Sequence, residues 1–201
     1  KKLKIHVIFI ADETDEKRSE DFINKNVIRF DYTVLKRGSS LQRRNKLQNI
    51  IIIAKLIRAM KYRRVIVSGW ELLEFWFLVF FNIKKKNYLA LESTINESES
   101  KGIRASLKKL FLSRISCVFA SGNLHKQLLT ALNYKGEVKI TKGVGIINKP
   151  PIDIIERTYS KKFLYVGRLS EEKNLISLVH IFNQLPNYEL TLIGTGLLEQ
   201  H

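Results

Sequence analysis

Short apolar segments rich in β-branched residues alternate along this chain with longer segments of helical character. The apolar segments cover residues 3–10, 27–35, 64–69, 87–91, 117–120 and 138–140, and predicted helices lie at 19–24, 46–62, 71–83, 103–115 and 124–133. A strand, a helix and a further strand in succession are typical of parallel βαβ units. The alternation therefore predicts an α/β fold built on a Rossmann-like, doubly wound parallel sheet.

A break in this pattern predicts two domains. Pro150 and Pro151 interrupt the chain, after which a strand at 162–167, a helix capped by Asn174 and a strand at 188–193 follow. We place the first domain at 1–157 and the second at 158–201. A piece of roughly 40 residues is at the lower limit for independent folding, so we expect the second domain to be incomplete. Exposed strands of such a sheet favour dimerisation.

Positive charge is concentrated in the first domain. The chain carries 35 Lys and Arg against 19 Asp and Glu, a net charge of +16. Residues 36–64 hold ten basic residues and no acid, whereas residues 157–201 are close to neutral. An anionic membrane surface, a phosphorylated substrate and nucleic acid are all compatible partners, and so is a solvated cationic face with none.

Two apolar helical segments bear on how the first domain packs. Residues 71–83 form the most apolar segment but are too short to span a bilayer, which takes about 20 residues. We expect a helix packed under the sheet, with a helix that dips into a membrane as the alternative, and Lys84 to Lys86 suit its C-terminus. Residues 103–115 carry apolar side chains at helical spacing, which predicts a core-facing stripe at Ile103, Leu107, Leu110, Phe111 and Ile115.

The start of the second domain carries the most specific motif. An apolar strand leads into Gly167-Arg168-Leu169, and Glu172-Lys173-Asn174 opens a helix. This resembles the opening of the C-terminal domain of retaining family 4 glycosyltransferases with the GT-B fold, which commonly reads G-R-L-x-x-E-K-N. Residues 188–196, ending in Gly194-Thr195-Gly196, are similar to that family's next strand and glycine turn.

The resemblance implies two Rossmann-like domains, an enzyme and a donor site. It assigns donor phosphate binding to Gly167, Arg168 and Lys173, with Gly194 and Gly196 in a donor-side loop. Breaking the bond to a nucleoside diphosphate builds negative charge on the leaving group, which cations at a strand end can stabilise. The implied function is transfer of a hexose, with retention, from a nucleotide sugar to a lipid-linked or polysaccharide acceptor. We expect no metal and no cofactor, and a location in the cytoplasm on the inner face of the cell membrane.

The first domain is similar to the acceptor domain of a bacterial polysaccharide-building branch of the same family. Gly69 and Trp70 follow one strand, Glu92 follows the next, and Ser121-Gly122 follow a third. Ligands of open α/β sheets bind at the carboxyl ends of the strands, so Gly69, Trp70 and Glu92 are candidates for acceptor contact. The alternatives are a surface carboxylate for Glu92 and a core side chain for Trp70.

Three departures from the family pattern limit this assignment. The family's E-x7-E pair, which contacts the donor sugar and ribose, has no counterpart, and the region that should hold it lies beyond His201. The first strand is followed by Ala11-Asp12-Glu13-Thr14 instead of a Gly-Gly loop, and Glu92 stands where many members have His. We therefore assign no catalytic residue and expect little activity from this chain alone.

Other chemistries find less support in the sequence. The single cysteine, Cys117, lies in an apolar strand and is predicted to be core. No Asp-x-Asp motif is present, and the four histidines lack metal-ligand spacing. The alternative function is a basic nucleic-acid-binding or non-catalytic membrane-surface protein, suggested by a pI near 9.9. We expect no nucleic-acid partner, because the aromatic residues lie in apolar runs and not between basic ones.

Overall fold

The computed structural model describes residues 3–13, 15, 30–143 and 160–200. Its strands are β1 (His6–Phe9), β2 (Asp31–Val34), β3 (Val65–Val67), β4 (Asn87–Leu91), β5 (Cys117–Ala120), β6 (Glu137–Ile140), β7 (Lys162–Val166) and β8 (Glu189–Ile193). Its α-helices are α1 (Lys46–Ala59), α2 (Leu73–Phe81), α3 (Gly102–Leu112), α4 (Asn123–Ala131) and α5 (Leu175–Asn183). The predicted helix at 19–24 lies outside the described residues.

The chain divides into two compact units. One is Arg44–Asn148, and the other combines Lys1–Arg43 with Lys149–His201. The predicted domain boundary between residues 157 and 158 lies outside the described residues and stays a prediction.

The Arg44–Asn148 unit contains a four-stranded sheet in the order β3-β4-β5-β6, with every neighbouring pair parallel. One helix connects each strand to the next, so the sheet consists of successive βαβ units. The predicted Rossmann-like α/β fold is therefore confirmed. Because the order of these four strands follows the chain, right-handed connections place their helices on one face of the sheet.

That face forms the core of the unit. Val67 pairs with Leu89, and Leu89 pairs with Val118, so their side chains project to the same side. They pack in one buried cluster with Val79 of α2 and Phe111 of α3. Cys117 is buried as predicted, and burial raises the pKa of its thiol.

The two longest helices, α1 and α3, bury only some of their apolar side chains. Asn49 and Ile53 are the buried residues of α1, whose N-terminus is capped by the Asn45 side chain accepting from the Gln48 amide at 3.0 Å. The predicted core stripe of α3 is wrong in part. Phe111 and Ile115 are buried, but three further members of the stripe are exposed. These are Ile103, Leu107 and Leu110. Ala105 is instead among the buried residues of α3.

A buried amide network joins the ends of α2, β4 and α3. The Asn87 amide nitrogen donates to the carbonyl oxygens of Val79 at 2.7 Å and Arg114 at 2.9 Å. Its carbonyl oxygen accepts from Asn82 at 2.7 Å. The Arg114 guanidinium donates to the carbonyls of Phe80 and Asn82 at the C-terminus of α2. Arg114 thus takes the capping role predicted for the lysines at 84–86, which form a separate 3₁₀ turn.

The second unit holds two separate two-stranded parallel sheets, β1-β2 and β7-β8. The β7–α5–β8 segment is the βαβ unit predicted for residues 158–201. Asn174 stands at the N-cap of α5 as predicted, but with φ of 50°. Its side-chain oxygen accepts from the Ser177 hydroxyl at 2.7 Å and makes no hydrogen bond to a backbone amide of the helix.

Candidate functional site

The loops that follow β7 and β8 run side by side. The backbone amide of Gly167 donates to the carbonyl of Ile193 at 3.0 Å, and that of Leu169 donates to Thr195, also at 3.0 Å. The backbone amide of Leu198 donates to the Leu169 carbonyl at 3.1 Å. The parallel pairing therefore continues past the strand ends and holds the predicted phosphate loop against the predicted donor-side loop.

Two of the three glycines predicted at the donor site lie where a larger residue would not fit. A Cβ atom at Gly194 would overlap the Gly167 carbonyl oxygen, and one at Gly196 would overlap the Leu169 carbonyl oxygen. Backbone atoms cannot move aside without breaking the hydrogen bonds between the loops. At Gly167 a Cβ would meet the end of the Tyr165 side chain, with the hydroxyl at 2.7 Å and the ring carbon that bears it at 3.0 Å. That hydroxyl donates to the Arg168 carbonyl at 2.8 Å.

Arg168 and Glu172 form an ion pair in the loop that follows β7. The Arg168 guanidinium lies 3.1 Å from an oxygen of Glu172, and both side chains are more than half exposed. The pKa of Glu172 is lowered by the Ser170 hydroxyl, by its own backbone amide and by the positive charges of Arg168 and Lys173. The loop therefore places the Arg168 guanidinium against an anionic group at the carboxyl end of β7, and phosphate binding by this loop stays a prediction.

A polar pocket of about 410 Å³ lies at the carboxyl ends of β3 and β4. Its lining residues come from the two strand-end loops and are Ser68, Gly69, Glu71, Leu91, Glu92, Ser93 and Glu97. Two of the predicted acceptor-side residues, Gly69 and Glu92, are thus brought together in one lining. Carboxylates and serine hydroxyls are groups that accept hydrogen bonds from sugar hydroxyls.

Gly69 makes room for one of these carboxylates. A Cβ at position 69 would overlap a carboxylate oxygen of Glu71, which lies two residues further along the chain. Glu97 is held on the other side of the pocket by the Thr94 amide, which donates to it at 3.4 Å. Both glutamates lie in loops that follow a strand, but no local sequence pattern marks which residues of such loops line a shared pocket.

Trp70 follows Gly69 but is not among the residues that line the pocket. It is partly buried against the hydrophobic cluster, and its carbonyl accepts from the Trp76 indole at 2.8 Å. The Lys108 ammonium lies 5.7 Å from its ring centroid. Trp70 therefore fits the hypothesis of a core side chain better than the hypothesis of a side chain that stacks on a sugar.

The segment after β1, where the family has a Gly-Gly loop, forms a different contact. The Asp12 carboxylate accepts from the backbone amides of Gly38 at 3.0 Å and Ser39 at 3.2 Å. The amide of Gly38 has the largest effect on the pKa of the Asp12 carboxyl and lowers it. Burial opposes this, and the amides of Ser39 and of Asp12 itself lower the pKa further. An aspartate thus occupies amide donors at the carboxyl ends of β1 and β2.

Comparison with known protein families, with characterised proteins and with solved structures found no match to this chain. Within residues 3–13, 15, 30–143 and 160–200, no group of three or more His, Cys, Asp or Glu side chains is placed to hold a metal ion. The evidence on function therefore consists of the two strand-end sites and the motifs that occupy them.

Proposed function

We propose that this protein transfers a hexose from a nucleotide-sugar donor to a lipid-linked or polysaccharide acceptor, with retention at the anomeric carbon. The proposal extends the resemblance to retaining GT-B glycosyltransferases of family 4. The observation that supports it is the ion pair of Arg168 with the Glu172 carboxylate at the end of β7, with Lys173 next to Glu172 in the same loop. A diphosphate presents the same kind of charge to the same two cations.

Each predicted donor residue has a defined part in this proposal. Arg168 donates paired hydrogen bonds to phosphate oxygens, and Lys173 adds a second positive charge. As the bond between the sugar and the diphosphate breaks, negative charge grows on the leaving phosphate, and the two cations stabilise it. The Gly167 backbone lets the phosphate approach closely, while Gly194 and Gly196 keep the neighbouring loop in register. Glu172 pairs with Arg168 in the absence of donor and is displaced from it when the donor binds.

The acceptor is proposed to bind at the pocket that contains Gly69 and Glu92. Glutamate and serine oxygens accept hydrogen bonds from the hydroxyl groups of a sugar, which suits a glycan better than an anionic acceptor. We place the reaction in the cytoplasm, on the inner face of the cell membrane, where lipid-linked acceptors are built.

Nucleotide binding by the 201-residue chain tests the donor half of this proposal. UDP-, GDP- and ADP-sugars, with pyrophosphate as the minimal probe, are titrated by calorimetry against wild type, Arg168→Ala, Lys173→Ala and the control Lys161→Ala. Lys161 is an exposed cation before the opposite end of β7. We expect one nucleotide series to bind and Arg168→Ala and Lys173→Ala each to weaken it about tenfold, with the control unchanged. Equal affinities for all four proteins would refute the assignment.

A further inference from the structure

The acidic side chains of the Arg44–Asn148 unit divide into a paired and an unpaired group. The sequence of this unit contains 19 Lys and Arg but six Glu and no Asp. Three of the glutamates form ion pairs: Glu74 with Arg44, Glu99 with Arg104 and Glu137 with Lys139. The other three are Glu71, Glu92 and Glu97, which all line the pocket at the carboxyl ends of β3 and β4. Within the described residues, none of these three lies within ion-pair distance of a basic side chain.

Carboxylates carry all of the formal charge in the lining of this pocket. Its other lining residues are Ser68, Gly69, Leu91 and Ser93. Two basic side chains contact the loop after β4, but both bind residues outside the lining. The Lys108 ammonium donates to the Ser98 hydroxyl at 2.6 Å and to the Glu99 carbonyl at 2.9 Å. Arg104 donates to the Glu99 carboxylate at 2.9 Å. The pocket is therefore an anionic cavity in a unit of strongly positive net charge.

Glu71 owes its place in the lining to the glycine two residues before it. A Cβ at position 69 would overlap the Oε2 atom of Glu71, so any larger residue there would force this carboxylate to move. Glu92 directly follows β4, and Glu97 accepts from the Thr94 amide at 3.4 Å. The carboxylates thus enter the cavity from both strand-end loops, with serine hydroxyls beside them.

We infer that this pocket takes an acceptor sugar that carries a protonated amino group. An ammonium group bears the opposite charge to the lining and donates three hydrogen bonds, while sugar hydroxyls bond to the remaining carboxylate and serine oxygens. An acidic or phosphorylated sugar would place its charge against like charges, which is costly. Within the described residues the carboxylates are not placed to share one metal ion, whereas a cavity of about 410 Å³ has room for an organic group.

The inference rests on the proposed sugar transfer, because it names the class of acceptor. It concerns the sugar of a lipid-linked acceptor and assigns no contact to the lipid. No helix of the described ranges is long and apolar enough to cross a membrane.

Amide NMR titration of the whole nitrogen-labelled chain tests the inference without any donor. The probes are the methyl glycosides of glucosamine, glucose and glucuronic acid, which are cationic, neutral and anionic, and propylamine, a cation without a sugar ring. We expect the glucosamine glycoside to shift the amides of Gly69 and Ser93 and to bind about tenfold more tightly than the glucose glycoside. Its affinity should fall as salt is raised, and the glucuronic acid glycoside and propylamine should bind more weakly.

Variants of the lining locate this preference. Glu71→Gln and Glu97→Gln should each weaken the glucosamine glycoside about threefold and leave the glucose glycoside unchanged. Gly69→Ala should weaken it as much as Glu71→Gln, and the double variant should lose no more, because the displaced carboxylate is then already neutral. The matched control is Glu137→Gln, which removes the same charge at the amino end of β6 and should bind like wild type.

The amide spectrum establishes that each variant is folded, and if Gly69→Ala is not, the two glutamine variants decide. Equal affinity for the three glycosides, no binding of any of them, or propylamine binding as tightly as the glucosamine glycoside would overturn the inference. An equal loss in Glu137→Gln and Glu71→Gln would do the same. These results leave the nucleotide titration, and with it the proposed function, untouched. Preference for the amine without nucleotide binding would instead support amine recognition by the pocket and refute sugar transfer.

Discussion

Arg44 and Glu74 form a two-pronged ion pair in the interior of the Arg44–Asn148 unit. The guanidinium Nε lies 2.7 Å from one carboxylate oxygen and Nη2 lies 2.9 Å from the other. Asn49 adds a longer hydrogen bond of 3.3 Å to the first oxygen. The Glu74 side chain is fully buried and that of Arg44 is 7% exposed. This contact ties the start of α1 to the first turn of α2.

Removing one partner of this pair should destabilise the protein strongly. We expect Arg44→Met to lower the free energy of unfolding by about 3–5 kcal/mol, because Glu74 would be left as an uncompensated buried charge. The double variant Arg44→Met with Glu74→Leu should lose much less, since no charge then remains buried. Urea unfolding at neutral pH measures all three proteins. A double variant no more stable than the single one would contradict this account.

The same pair predicts an acid-sensitive stability. Burial by itself raises the pKa of Glu74, but the hydrogen bonds and charge of Arg44, with the backbone and Asn49, lower it below its ordinary value of 4.5. A carboxyl with a depressed folded-state pKa contributes its full stability above the unfolded-state value, and that contribution is lost as pH falls through the folded-state value. Wild type should therefore lose stability below about pH 4.5, and Glu74→Gln should show a shallower dependence there. Parallel unfolding curves between pH 7 and pH 3 would rule this out.

The Asn87 network supports a second stability prediction. Asn87→Ala removes two donors and one acceptor, and leaves the Val79 carbonyl and the Asn82 amide buried without their partner. We expect a loss of about 1–3 kcal/mol in the free energy of unfolding. Asn96→Ala, at an exposed position of the same unit, serves as the control and should change stability little. Chemical unfolding of both variants makes the comparison.

The glycines after β7 and β8 predict that replacement by alanine costs most where the new Cβ would overlap backbone atoms. Gly194→Ala should disturb the loops after β7 and β8, because the new Cβ overlaps the Gly167 carbonyl. Gly167→Ala should be milder, since the new Cβ meets the end of the Tyr165 side chain, which can move, and no backbone atom. We expect a cost of about 1–3 kcal/mol for Gly194→Ala and less for Gly167→Ala. Amide hydrogen exchange at Gly167 and Leu169 reports the local effect, and equal protection in the two variants would argue against it.

Secondary structure was the part most open to prediction. The bounds of β4 and β5 agree with the expected segments, because a strand buried in a parallel sheet is a continuous apolar run with polar residues at its ends. Helical periodicity identified α3 but misassigned three of the five residues of its stripe. A repeat of apolar residues shows that they share one side of a helix, and it does not show whether that side meets the sheet or the solvent.

The candidate sites likewise contain some residues that the sequence predicted and others that it did not. Gly69 and Glu92 were accessible to sequence reasoning because carboxyl ends of parallel strands meet at one edge. Glu71 and Glu97 were missed, since no local pattern marks which loop residues turn toward a shared pocket. Arg168 and Lys173 were accessible through their motif, whereas the ion pair of Arg168 with Glu172 became visible only in the structure.

The sequence by itself determined the strands, the helices between them and the loop that carries Arg168 and Lys173, because these depend on neighbours close along the chain. Only the tertiary structure decided that Arg44 meets Glu74 and that Phe81 and Ile103 face outward. Such contacts join residues about 30 positions apart or depend on which helix face finds the sheet. They are selected by the packing of the whole unit, where burying Val79, Phe111 and Leu89 together outweighs the exposure of other apolar side chains.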